Sequence, residues 1–454
     1  MAQLERAKFG SKLGVILATA GSAVGLGNVW RFPYLAGENG GAAFMLAYIG
    51  CVLLLGMPCM VAEFIVGRRA QANAARAFRT LGGRTPMALV GYMGVITAML
   101  IIGYYAVVSG WCLEYVFASA AGRFSDVTPG QAGRYFADFE THPFKPVVWM
   151  ALIFLATHWV IAHGVRDGIE RASKLMMPAL FVLLLVVVGA SCLLPGAWAG
   201  VEFLFKPDFG KLTGDVLLAA LGQAFFSLSI GMGCMCTYAS YFSRQTRLGS
   251  SAMQIGVIVI LVAVLAGLMI FPAAFSVGIK PDSGPSLIFI TLPNVFSRAF
   301  SFAPALGYLV AIMFYVLLTL AALTSLISLH EVCTAFLHEE LRITRRRAAA
   351  AVTALGIVVG ALCSLSLGDR RWLSVFGRPL FEQCDFVTGQ VLMPFGGFLI
   401  CLLVGWYLPH KLVRDEFTNW GTLPGRFLRL FVLCVKYVCP VCIILIFLNQ
   451  LGLL

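Results

Sequence analysis

Ala23-Val24-Gly25-Leu26-Gly27-Asn28 interrupts the first apolar run of this chain, and Ser229-Ile230-Gly231-Met232-Gly233 interrupts the sixth in the same way. Each puts a Gly-x-Gly in the middle of a hydrophobic stretch, and two glycines within three residues weaken a helix by about 1 kcal/mol each. What such a break means depends on the solvent around it. The 454 residues are 60% hydrophobic and 12% charged, with a mean hydropathy of +0.89. A soluble domain carries about 25% charged residues because its surface faces water. The chain therefore reads as membrane-embedded, where backbone leaves a helix only if it lines a cavity or is buried in protein.

A helix of about 20 residues crosses a hydrocarbon core of about 30 Å. Apolar runs separated by charged or Pro/Gly-rich connections predict eleven such helices, over 11–36, 41–67, 88–120, 146–163, 168–194, 214–242, 250–278, 301–338, 348–367, 380–406 and 427–453. The polar stretches near 120–145 and 405–427 are loop-sized, which leaves no room for a soluble catalytic domain. With the N-terminus inside, the cytoplasmic loops hold about twice as many Lys and Arg as the outer ones. That asymmetry predicts a cytoplasmic N-terminus and, from the odd span count, an outer C-terminus. It also accounts for the net charge of +12, which in a soluble chain would suggest nucleic acid.

Runs 1 to 5 and 6 to 10 each open with a broken helix. Residues 1–200 and 201–406 thus read as two inverted five-helix repeats, followed over 407–454 by a cytoplasmic loop and an eleventh helix. In transporters built this way the binding site lies at the breaks. Packing through small residues, as in Gly21-x-x-x-Gly25, is the plainer account of either break taken alone. Arg31, Glu63, Glu331 and Asp385 fall within or at the ends of apolar runs, where an ionisable group is costly and functional by default. The 13 cysteines, Cys51, Cys59, Cys112, Cys234 and Cys401 among them, read as small buried hydrophobes. Cys439-Pro440-Val441-Cys442 has redox spacing but sits inside the last apolar run. The six His show no metal-ligand spacing, and no catalytic dyad is evident, so an enzyme is not expected.

Gly21 through Pro33, followed by Glu38-Asn39-Gly40-Gly41, resembles the first-helix signature of the neurotransmitter:sodium symporter family. Leu221 through Ser229 and Thr237 through Tyr241 resemble its sixth helix, Ala321 through Ser325 its eighth, and Glu382 through Phe386 its tenth. The resemblance implies an all-α polytopic protein of the LeuT fold in a bacterial cytoplasmic membrane. It implies sodium-coupled symport of a neutral, hydrophobic L-amino acid by alternating access. A transport-inactive sensor on the same fold is the alternative. The expected partners are the amino acid and the lipid bilayer, with no nucleic acid; a homodimer is compatible with this reading.

By the same resemblance, one sodium site comprises the carbonyls of Gly21, Val24 and Ala321 with the hydroxyls of Thr324 and Ser325. The other comprises Ala23, Asn28, Ser227 and the substrate carboxylate. The amino acid would be held by Ala23, Gly25, Leu26, Gly27, Tyr105, Phe226 and Ser229, within walls from Ile101, Tyr105, Phe226, Met232, Ser325 and Leu329. Arg31 with Asp385 would form the outer gate and Arg6 with Glu339 the inner one, while Gly168 and Pro178 would let helix 5 unwind. In one respect the sequence departs from the family. Ile255 through Gly267 contains no side-chain oxygen, and Val259 or Ile258 stands where relatives place a sodium ligand. One turn on, Ala263 or Val262 replaces an acid or a chloride-binding serine. The second sodium site is therefore uncertain. Tyr48 and Gln223 resemble chloride-site residues, yet chloride is not expected without that serine.

Overall fold

The computed structural model describes residues 7–124, 128–278, 287–368 and 373–450. Nine described helices are long and apolar enough to cross a membrane: Ala42–Ala70 (span 2), Pro86–Ala120 (span 3), Lys145–Ala162 (span 4), Val165–Cys192 (span 5), Leu248–Ser276 (span 7), Pro304–Glu340 (span 8), Arg345–Ser366 (span 9), Leu380–Tyr407 (span 10) and Leu428–Asn449 (span 11). Span 1 is a bent pair, Lys12–Ala23 with Gly27–Glu38, turned by 55°. Span 6 is also divided, into Gly214–Ser227 and Cys234–Ala239. One feature was not expected from the all-α reading: Ser374–Val375 and Arg378–Pro379 pair as a short antiparallel hairpin before span 10.

The two breaks arise differently. The first half of span 1 is capped by Ser11, whose side chain accepts from the Gly14 amide, and it stops where Val24 turns extended at φ −89° and ψ 98°. The chain resumes in a π-helical turn, Gly27–Arg31, and Pro33 then stands in the first turn of Phe32–Glu38. In span 6, Ser229, Gly231 and Gly233 all take positive φ, at 53°, 86° and 76°. Gly231 is required twice over, because a Cβ there would also run into the Met393 carbonyl of span 10.

The freed amides of span 6 have a fixed partner. Glu63 of span 2, fully buried, accepts from the Gly231 N–H at 2.7 Å and from the Cys236 N–H at 3.2 Å. A carboxylate on two backbone donors is a strong, charge-assisted anchor. Span 2 is also the most enclosed of the nine, 72% buried over its apolar window, whereas spans 4 and 5 are only 39% and 33% buried. Their exposed Leu155, Trp159, Leu175 and Leu185 mark them as peripheral. In lipid such residues face hydrocarbon at no cost.

In span 5, Gly168 lies in a π-helical turn, Val165–Glu170, and packs directly on the Val160 carbonyl; Pro178 sits inside the following helix, Arg171–Cys192. Both expected unwinding residues thus stand where the helix already departs from regular hydrogen bonding.

Candidate functional site

The two breaks and spans 3 and 8 enclose a cavity of about 40 Å³, lined by Ala23, Gly25, Gly27, Ile101, Tyr105, Phe226, Ser229, Met232, Ser325 and Leu329. All ten were expected from the sequence. Leu26 enters through its backbone: its N–H donates to the Tyr105 hydroxyl at 3.0 Å. The cavity also includes Ser22, Ser227 and Cys234; Ser22 and Cys234 had not been expected there, and they lie one residue from Ala23 and two from Met232. Ser229 ties the breaks together, its hydroxyl donating to the Ser22 carbonyl at 3.0 Å.

Close approach explains the glycines. A Cβ on Gly25 would meet the Ser325 hydroxyl and would lie 2.9 Å from the Tyr105 hydroxyl. On Gly27 it would lie 2.5 Å from the Phe226 ring. Backbone amides are therefore presented to the cavity where side chains would have filled it. Unpaired N–H groups at the start of a helix suit a carboxylate. None of the lining side chains is charged, and an apolar wall does not stabilise a charged guest.

Two polar corners flank the cavity. At the first, the Thr324 hydroxyl lies 2.9 Å from the Ala321 carbonyl and 3.4 Å from that of Val24. The position of a Cβ on Gly21 is 3.4 Å from the Thr324 Cβ, so spans 1 and 8 touch here. Ser325, expected both at this corner and in the cavity wall, turns its hydroxyl toward Gly25 and Tyr105, between corner and cavity. At the second corner, Asn28 Nδ2 donates to the Ala23 carbonyl at 2.7 Å. Gln223 Nε2 donates to the Gly27 carbonyl at 2.8 Å and to the Ser227 hydroxyl at 3.1 Å. Asn28 Oδ1 and Gln223 Oε1 are buried with no hydrogen-bond partner among the described residues. On span 7, Val259, Val262, Ala263 and Ala266 are completely buried and bring only hydrocarbon.

The outer gate differs from expectation. Arg31 lies over the Phe226 ring, with Cζ 4.6 Å from its centroid, and makes no ion pair with Asp385 within 4 Å. Asp385 stands beside Tyr104, whose hydroxyl is 3.3 Å from that of Thr388. A smaller cavity is lined by Arg31, Phe226 and Met393, and without an ion pair the outer pair is unclosed in this conformation. On the inner side, Glu339 accepts from the Asn73 N–H at 2.9 Å and from its side-chain amide at 3.0 Å. Arg6, its expected partner, lies outside the described residues.

Broken helices meeting at mid-membrane around an uncharged, amide-rich cavity define a membrane transporter of the LeuT fold. The sequence profile of the sodium:neurotransmitter symporter family matches residues 6–127 and 142–453, and the chain belongs to that family. It is 38% identical over 455 residues to the uncharacterized sodium-dependent transporter YhdH of Bacillus subtilis, with both chains covered completely. It is 34% identical over 460 residues to an uncharacterized sodium-dependent transporter of Haemophilus influenzae, covering 98% of each. Among solved structures it resembles MhsT in complex with L-phenylalanine, with a TM-score of 0.88 and 40% identity over 98% of this chain and 100% of that one. The protein is accordingly a multi-pass membrane transporter of a sodium-using family.

Proposed function

We propose that the protein carries a neutral, hydrophobic L-amino acid into a bacterial cell together with sodium, by alternating access across the inner membrane. The observation that carries this reading is the uncharged cavity at the two breaks, with the Gly25–Gly27 backbone and the Tyr105 hydroxyl on one side. Those amides and that hydroxyl hold the carboxylate. The carbonyls of Ala23, Phe226 and Ser229 hold the ammonium. The side chain lies among Ile101, Phe226, Met232 and Leu329. One water needs about 10–15 Å³ of such space, so a cavity of about 40 Å³ must widen for a bulky guest. Met232, unbranched and flexible, is the wall residue best able to yield. That MhsT has been solved with L-phenylalanine favours an aromatic or large aliphatic substrate.

Sodium is held chiefly by the Gly21, Val24 and Ala321 carbonyls with Thr324 and Ser325. A second ion at Ala23, Asn28 and Ser227 binds only together with the substrate carboxylate. Arg31 closes toward Asp385 on the outside, Arg6 toward Glu339 on the inside, and Gly168 and Pro178 free the inner end of helix 5. The halves 1–200 and 201–406 act as inverted repeats, with a cytoplasmic N-terminus and an outer C-terminus. A sodium-dependent binding screen over all twenty amino acids tests the assignment. Tightest binding of Leu, Trp, Phe or Tyr is expected; tightest binding of Lys, Arg, Asp or Glu overturns it. Counterflow of the labelled ligand in proteoliposomes then separates a carrier from a sensor.

A further inference from the structure

Cys59 of span 2, Cys401 of span 10 and Cys439 of span 11 turn their sulfurs toward one point. All three Sγ atoms lie within 4.8 Å of one another, the Cys59–Cys401 pair at 3.4 Å, and none of the three residues has any exposed surface. Metal–thiolate bonds of about 2.3 Å arranged in a trigonal plane put the sulfurs about 4.0 Å apart. The Cys59–Cys401 separation is below that value and the 4.8 Å limit on the other two is above it, so adjustments of under about 1 Å complete the triangle. Packing alone accounts for buried cysteines singly; it gives no reason for three spans to supply a sulfur to the same spot. A Cys59–Cys401 disulfide would leave the third thiol without a role.

We propose that Cys59, Cys401 and Cys439 form a binding site for one soft closed-shell metal ion, of the Cu(I), Zn(II), Cd(II) and Hg(II) class, clamping spans 2, 10 and 11. Thiolates select such ions over hard ones. The surroundings also fix the charge. Net charge inside a membrane protein is expensive, and a divalent ion that displaces two protons leaves a neutral centre of two thiolates and one thiol. Two S–H bonds break, both protons leave to water, and two metal–thiolate bonds and one dative metal–thiol bond form. Cu(I) reaches neutrality by displacing one proton. The weak Cys439 contact to the Leu55 carbonyl, at 3.8 Å, is given up.

The position gives the site a consequence, which rests on the transport reading. Cys59 is one helical turn from Glu63, which holds the span 6 break through the Gly231 amide. Cys401 follows Met393 and Gly396 on span 10, against which Gly231 packs. An ion bonded to both therefore fixes both supports of that break, and turnover slows.

The test uses the reduced full-length protein in lipid nanodiscs with Cd(II). Bound cadmium per chain and the sulfur-to-cadmium charge-transfer absorption are read after excess ion is removed. One tightly held equivalent is expected in the parent. At least a tenfold loss of affinity is expected separately in Cys59→Ala, Cys401→Ala and Cys439→Ala, so one poorly folded variant does not decide the result. A Cys363→Ala/Cys384→Ala variant, which removes a separate pair of adjacent thiols, should bind as the parent does. Unchanged binding in the three single variants overturns the site, as does loss only in the Cys363/Cys384 variant. If mild oxidation yields a Cys59–Cys401 disulfide in a protein that takes up no cadmium, the metal assignment fails as well. In proteoliposomes of the same protein, uptake unaffected by bound cadmium overturns the clamp alone, whereas absence of sodium-driven uptake in the metal-free parent strikes the transport reading and leaves the binding result standing.

Discussion

The two polar corners beside the cavity are built from the same helix break, yet they hold their oxygens in opposite ways. At the Thr324 corner a hydroxyl bridges carbonyls of spans 1 and 8, and no side-chain amide competes for them among the described contacts. A hydroxyl can turn its proton away and offer a lone pair to a cation. At the Asn28 corner the Ala23 and Gly27 carbonyls already accept from the Asn28 and Gln223 amides, while Asn28 Oδ1 and Gln223 Oε1 remain unpaired. On the proposed sodium reading, an ion arriving there shares the Ala23 and Gly27 carbonyls with those amides, and span 7 brings it only hydrocarbon. Cation affinity follows from which oxygens are free to turn, more than from how many are near.

Removing the favourable corner should have the largest effect. Thr324→Ala/Ser325→Ala deletes two hydroxyls, and interactions with a charged partner contribute about 1.5–3 kcal/mol each. Sodium-stimulated uptake should fall at least about 100-fold, and wild-type sodium affinity in the double variant would break the comparison. Next in size is Tyr105→Phe, which takes one donor from the carboxylate end of the cavity. Amino-acid binding measured by scintillation proximity should weaken about tenfold while sodium affinity without substrate stays near the parent value. A large loss of substrate-free sodium binding would mean that cavity and corner are one site.

The smallest expected change sharpens the contrast at the other corner. Val259→Asn supplies an oxygen where span 7 has hydrocarbon, and it should raise sodium affinity or cooperativity about three- to tenfold, the worth of one added polar contact. In the parent, sodium binding without substrate should give a Hill coefficient near one. Tight binding of two ions in substrate-free parent would contradict the reading of span 7, and no gain from Val259→Asn would misplace Val259.

The same contrast explains what could be read in advance. Eight of the ten cavity residues were legible because each belongs to a contiguous motif around a Gly-x-Gly or to the span 8 run, while Ile101 and Tyr105 of span 3 were expected only from the family resemblance. Ser22 and Cys234 were missed although they adjoin those motifs, since a break exposes neighbours that a regular helix would hide. Arg31 was expected opposite Asp385; instead its guanidinium stacks on Phe226. Which of two partners a long side chain takes depends on how far the helices have closed, and no local pattern encodes that. Glu63 was recognised only as a costly intramembrane acid, and its two amide partners on span 6 emerged from the fold.

By itself, the sequence determined whatever depends on composition and near neighbours: a membrane-embedded chain, the approximate limits of nine of the eleven expected spans and of the bent first one, the places where two helices break, and the absence of oxygen along span 7. These follow from hydrocarbon length, from glycine's weak helix preference and from the side chains present, and no folding is needed to read them. Only the tertiary structure decided which atoms meet across spans. Cys59 and Cys401, 342 residues apart, looked like unrelated hydrophobes until spans 2, 10 and 11 brought their sulfurs and that of Cys439 together. The physical reason is that a helix fixes the direction of each side chain along one axis, while convergence depends on how several axes cross, and that is set by the packing of the whole bundle.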